Sequence, residues 1–520
     1  DVTHINLVVD GVESGSIFAN SETAFQVGNA LYSFANDNGT LSVTVSNVPI
    51  EHAILLNADF TEDNVPEGYT FGFDAFSDPD TAITAALENS TNLEITGGSF
   101  TNLLHFQGVE TEMLTGSFSE KNLYADGGRF TVSGGIISSA LHGGNGLDDT
   151  YTEETFISVS GGILHSIYGG GYNNSGTGTT NILMTQGEVE AIYGGGREGA
   201  SVITSNVTVS GGETTDYIYG GGKSGGKVEN VFLSVSGGTH RNIYGGSCEG
   251  SVSGNIVLTV SGGKMNYIHG SGYYDSVAGN ITVTVTGGTA KALYASGMSS
   301  TVDGSITVNI SGGTITTGVY GRNRGSEPDG ADESVLNLSG NYTFTADTVI
   351  DNFDKINFTV NYDFCGDTQR YYLLSAGNFN IENTVVTING VSATERGFYN
   401  FEQNGKTYTY YLINTGSEIA LSSVQKGVIL CQNGEIVDSF DEVSSVSLSG
   451  SGTYRTMLVL ESGEASEISV GENGILFVGN GGTVSGAEAE DGSKVALNNG
   501  SINRLELHAN STLVTISGGS

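Results

Sequence analysis

A column of aromatic residues is the strongest candidate for chemistry in this chain. Tyr168, Tyr193, Tyr219, Tyr244, His269, Tyr294 and Tyr320 recur 25 or 26 residues apart, with Tyr124 and His142 as looser members upstream. On stacked strands such rings would lie one strand spacing apart, about 4.8 Å. They could pack on one another, worth roughly 0.5–1.5 kcal/mol per pair, or offer flat faces to the rings of a glycan. The residues just before them (Ile167, Ile192, Ile218, Ile243, Ile268, Leu293 and Val319) are uniformly aliphatic and belong in a core. Strand alternation then points the aromatic rings outward or along a corner.

Two further patterns bear on chemistry. Gly143-Gly-Asn-Gly-Leu-Asp148 matches one copy of the Gly-Gly-x-Gly-x-Asp motif, which binds calcium when tandem copies share each ion between turns. The glycine corners that follow lack the Asp, so calcium at Asp148 and Asp149 is the lesser reading and a plain corner with an acidic loop the preferred one. Glycosidases need two carboxylates flanking the scissile bond, and lyases need a base, often with calcium. Glu188, Glu190, Glu213, Asp216, Glu229, Glu249, Asp275 and Asp303 do not fall at one repeated position. The Arg-x-Lys and His-Gly combination of galacturonases is missing, and His269-Gly270 reads as part of the aromatic column. Serine lacks a nucleophile-elbow context, and the glycine loops lead into no helix that could receive a phosphate. The expectation is a protein that is not an enzyme and carries no cofactor.

The elements that must position these residues follow from an internal repeat. Gly-Gly after a β-rich run recurs at Gly134, Gly161, Gly211, Gly237, Gly262, Gly287 and Gly312, with a degenerate copy at Gln186-Gly187 and an earlier one, a longer interval upstream, at Gly97. Asn280-Ile-Thr-Val-Thr-Val-Thr286 alternates strictly, so Ile281, Val283 and Val285 face one side and the threonines the other. Val231, Leu233 and Val235, then Ile256, Leu258 and Val260, are the matching inward sets. A period near 25 with three short strands predicts a right-handed parallel β-helix (β-solenoid). Proline is missing from residue 80 to residue 327, as it should be where every strand pairs on both sides.

The rhythm divides the chain into four parts. Residues 1–90 hold three of the 4 prolines and no Gly-Gly, and read as an irregular β region or cap. Residues 91–345 are the regular solenoid, interrupted near its end by a charged loop from Arg322 to Glu333. Residues 346–425 read as a small β-meander insertion, with a hairpin signal at Asn404-Gly405. Residues 426–520 carry a shorter repeat of about ten residues and stop in mid-pattern, which suggests further chain, or a second copy meeting Asp1–Ala30, over Leu513 and Ile516.

Composition narrows the partners. With 57 Asp and Glu against 18 Lys and Arg, the formal charge is −39. Such a surface repels nucleic-acid phosphates and anionic lipid headgroups, both of which need a basic footprint. No apolar run reaches membrane-spanning length. Cys248, Cys365 and Cys431 are too few and too scattered for a disulfide framework, although one Cys365–Cys431 bridge is conceivable.

The C-terminal stretch, in lines such as Gly479-Asn-Gly-Gly-Thr-Val-Ser-Gly486, resembles the passenger repeats of AIDA-type autotransporter adhesins. The Ser-Gly-Gly…Tyr-Gly-Gly-Gly units are similar to repeats of large bacterial surface proteins. That resemblance implies export to the outer-membrane surface or beyond, and a role in adhesion or as an extracellular scaffold. The partners it implies are surface glycans or host and matrix proteins. A head-to-tail filament and a polysaccharide-active enzyme are the alternatives.

Overall fold

The Gly-Gly pair is dictated twice over, once by each residue. At Gly211-Gly212, a side chain on the first glycine would collide with the carbonyl of Thr185 in the neighbouring coil. The second glycine has φ +79°, the left-handed region that L side chains avoid. Gln186-Gly187 keeps the second requirement (φ +89° at Gly187), which is why the degenerate copy still turns the chain.

In the computed structural model these corners join strands that pair in parallel with the coil before and the coil after. The structure describes residues 4–517 except 10–11, 19–21, 28–29, 38–39, 48–49, 323–329, 341, 346, 360–371, 376–377, 380–383, 393–396, 404–405, 415–417, 423–426, 433–434, 480 and 509–512. The chain forms two compact units, Asp1–Asn230 with Glu249–Ser251, and Val231–Cys248 with Val252–Ser520.

The first unit begins with antiparallel strands. His4–Val9 pairs with Val12–Phe18, and Ala30–Asp37 lies between Glu22–Val27 and Thr40–Asn47. Parallel pairing starts at Ile54–Asn57, which lies beside Leu93–Phe100. Between those strands runs the helix Pro79–Asn89, an element the sequence reading passed over. Asp78 caps it, its side chain accepting from the Thr81 amide, and proline occupies the first turn, where no amide is needed. Ala82, Ile83 and Ala86 bury its inner face. It is far too short to span a bilayer, and among the described residues no helix is long and apolar enough to do so.

The coils of this unit are not uniform. Met113 pairs with Ile95 on one side and Val132 on the other, so the long interval before Gly134 holds two short coils rather than one long one. The intermediate corner is Thr115-Gly116, with φ +100° at Gly116 but no first glycine to betray it. From Tyr151 the offset settles, with Ile157 beside Ile182 and Ile182 beside Val207.

In the second unit Ile256, Ile281 and Ile306 stand in one column, with Leu258, Val283 and Val308 in the next. Ile281 and Val283 are completely buried and Val285 nearly so, while Thr282 and Thr284 are partly exposed, as the alternation predicts. A polar column reinforces the stack: Asn337 donates to Asn309, and Asn357 donates to Asn337, each at 2.8 Å. The solenoid continues through Lys355–Thr359 and Val385–Ile388. A separate antiparallel sheet orders Tyr372–Ser375, Glu418–Ser422, Lys406–Asn414 and Gly397–Gln403. Its last two strands form the predicted hairpin, whose turn residues Asn404 and Gly405 lie outside the described residues. Cys365 lies outside them too, so the bridge to the buried Cys431 goes undescribed.

From Val428 onward three narrow sheets stack around a core that includes Leu430, Met457, Leu476 and Val495. Here the structure corrects the repeat length. Thr456 pairs with Ile475 and Ile475 with Lys494, so one coil takes about 19 residues and two of the ten-residue motifs make one turn. The fold class is therefore all-β: a parallel β-helix, with two strands per coil between Tyr151 and Tyr244 and three from Thr456 onward, and a small antiparallel meander.

Candidate functional site

The aromatic column exists, and its rings face inward. In the first unit His105, Tyr124, His142, Tyr168, Tyr193 and Tyr219 stack successively, with centroids 4.7–5.3 Å apart. In the second, Tyr244, His269, Tyr294 and Tyr320 stack at 4.4–5.1 Å. Tyr168, Tyr193, Tyr219 and Tyr244 are each no more than 3% exposed and His269 is fully buried, whereas Tyr294 and Tyr320 are half-buried. Of the two expected directions, outward or along a corner, burial excludes the first: each aliphatic–aromatic pair ends its strand just before a glycine corner, and Ile192 and Tyr193 are both buried. A buried face cannot receive a sugar ring, so the rings of Tyr168, Tyr193, Tyr219, Tyr244 and His269 pack as a structural spine.

His105 joins the stack without having been read from sequence, although Leu104-His105 repeats the aliphatic–aromatic pair. Asp126 accepts from its ring at 3.1 Å and raises its pKa, against the opposing effect of burial. Buried hydroxyls back the stack up. Thr155 donates to the carbonyl of Gly169, Thr180 to that of Gly194 and Ser205 to that of Gly220, at 2.6–2.8 Å. Each carbonyl belongs to the residue just after a ladder ring.

The feature that does open to solvent lies beside the spine in the first unit. Ala140, Ser166 and Ala191 stand in register and make a floor of small side chains, which ends where Tyr217 takes the same position in the next coil. One wall is acidic, carrying Glu190 and Asp216 with His165, whose Nδ1 lies 2.7 Å from Glu190. The other carries Arg197 and Lys223, which follow successive Gly-Gly-Gly corners and pair in parallel. Lys223 Nζ sits 5.1 Å from the centre of the Tyr193 ring, and Arg197 is 3.3 Å from Glu198. The groove has a volume of about 420 Å³, with Tyr168 and Tyr193 at its edge. Ser139 also lines it, only 9% exposed, and among the described residues its hydroxyl has no hydrogen-bond partner.

These placements correct the carboxylate pattern read from sequence. Glu188 and Glu213 are in direct register. Glu190 falls in a one-residue irregularity between Val189 and Ala191, where Thr215 and Asp216 both lie across from it, so Glu190 and Asp216 stand on adjacent coils without sharing a constant spacing.

The calcium candidates Asp148 and Asp149 are exposed on a turn, and among the described residues they belong to no cluster of three metal-ligating side chains. The cluster that does exist is Glu488, Glu506 and His508, with Arg504 paired to Glu506 beside it. Asp275 is a buried carboxylate that accepts from the amides of Ser247 and Gly272 and from the Ser271 hydroxyl, at 3.0–3.3 Å. Burial raises its pKa in spite of those bonds.

No family model, curated protein or solved structure matches this chain. What fold and site together define is a class, a parallel β-helix with a buried aromatic spine and a dipolar surface groove.

Proposed function

We propose that the chain acts in adhesion, or as an extracellular scaffold, at the surface of a bacterial cell or after secretion, and that it is not an enzyme. The observation that carries this reading is the spine itself. The most regular chemistry in the sequence is consumed in holding coil to coil, which suits a part whose task is to be stiff and to present a surface. The −39 charge favours solubility of such a body outside the cell. Surface glycans and host or matrix proteins are the partners that reading implies.

The test is attachment. Beads coated with the purified chain should adhere to glycan- or matrix-coated surfaces above the level of bare beads, and a polysaccharide panel should yield no soluble products. Failure to adhere anywhere would defeat the adhesive role. Release of reducing ends or unsaturated uronates would replace it with a polysaccharide-active enzyme.

A further inference from the structure

We infer that the dipolar groove over Ala140, Ser166 and Ala191 is a carbohydrate site, and that it takes a short oligosaccharide of acetamido sugars. The inference rests on the adhesive reading and names the ligand class for it.

The groove falls within the size range of small-ligand sites, but its lining is polar rather than apolar. Protein partners are held by aromatic and aliphatic anchors, which this floor of alanine and serine lacks. Nucleic acid needs a basic track, and here carboxylates outnumber the two cations, since Glu120 lies at one end in addition to Glu190 and Asp216. A sugar matches both walls. Its hydroxyls can donate to Glu190 and Asp216 and accept from Arg197 and Lys223. An acetamido group adds an N–H for the acidic wall, a carbonyl for the basic wall and a methyl for the alanine floor.

The next coil shows how the site ends, with Tyr217 standing where Ala191 leaves space.

Calorimetric titration of the chain with tri-N-acetylchitotriose, and with maltotriose as the neutral comparison, tests the inference. Saturable binding of the acetamido sugar is expected, stronger than that of maltotriose. Glu190→Ala removes an exposed acceptor, and Ala191→Tyr fills the floor with the residue the next coil already carries. Each should weaken binding at least tenfold while circular dichroism and the unfolding midpoint stay close to the parent's. Absence of saturable binding, equal binding by both variants, or preference for maltotriose would overturn the assignment. Beads that still adhere in that event would leave the adhesive role standing and move it to another surface.

Discussion

The imidazole of His142 lies 4.7 Å from the ring of Tyr168, 9° from parallel, and among the described residues neither of its nitrogens has a hydrogen-bond partner. Tyr124 covers its other face and Tyr172 meets its edge. Burial, and then the charge of Arg197, push its pKa down to about 3, while contact with the Gly171 backbone, outside hydrogen-bonding geometry, acts weakly the other way.

That pairing fixes a pH dependence. The folded chain holds His142 neutral, whereas the unfolded chain protonates it near 6.5. Its contribution is fully present above pH 6.5 and is lost progressively as pH falls towards 3. His142→Phe keeps the stack and removes both nitrogens. It should stabilise the fold by about 1–3 kcal/mol at pH 7, and by roughly 2–3 kcal/mol more at pH 4.5. Urea midpoints at the two pH values check this, and equal shifts at both would refute it. His105 has the opposite sign: its raised pKa adds stability at acid pH that fades as pH rises through its folded value.

The spine should tolerate loss of a hydroxyl but not of a ring. Tyr219→Phe is expected to cost less than about 1.5 kcal/mol, and Tyr219→Ala roughly 3–5 kcal/mol. Thermal unfolding followed by near-ultraviolet dichroism reads both the midpoint and the loss of ring packing. Comparable midpoints for the two variants would contradict a structural spine.

Asp275 tests the cost of a buried charge. Because burial raises its folded pKa, the ionised form is disfavoured at neutral pH, and that penalty disappears as pH falls towards the ordinary carboxyl value. Asp275→Asn can still accept from the Ser247 and Gly272 amides, so it should raise the unfolding midpoint at pH 7 and match the parent at pH 3. Asp275→Ala strands those donors and should cost roughly 2–4 kcal/mol. An Asn variant less stable than the parent at neutral pH would mean that ionised Asp275 supports the fold.

The corners give a positional test. Gly212→Ala forces a side chain into φ +79° and against Met184, and should cost at least about 1–2 kcal/mol. Gln186→Gly, at the other position of a corner pair, should change stability by less than about 1 kcal/mol. Denaturant midpoints decide, and similar effects at both positions would contradict the division of roles within the pair.

Sequence made the coils legible because two signals coincide, the glycine corners and the strict alternation of Ile281, Val283 and Val285. What escaped lay where one signal was missing. Thr115-Gly116 lacks the first glycine, so a coil went uncounted. Pro79–Asn89 carries its cap and proline, but lies in a segment whose other signals are those of irregular β structure. Alternation left the direction of Tyr193 open between outward and along a corner, because it says nothing about a corner. The groove depends on Glu190 and Asp216 standing on adjacent coils, and a one-residue irregularity displaced them from the repeat. Arg197 and Lys223, each following Gly-Gly-Gly, were the visible clue to its other wall.

The parallel pairing also sets how such a protein would bear load. Hydrogen bonds between neighbouring coils run along the stacking direction, as from Ala278 N–H to the Val252 carbonyl. Tension in that direction opens them one after another rather than shearing many at once. A coil of 25 residues, as between Ile281 and Ile306, would then release about 80 Å of slack when it peels away. Within either unit, a pulled coil becomes a yielding link that lengthens a tether before it breaks.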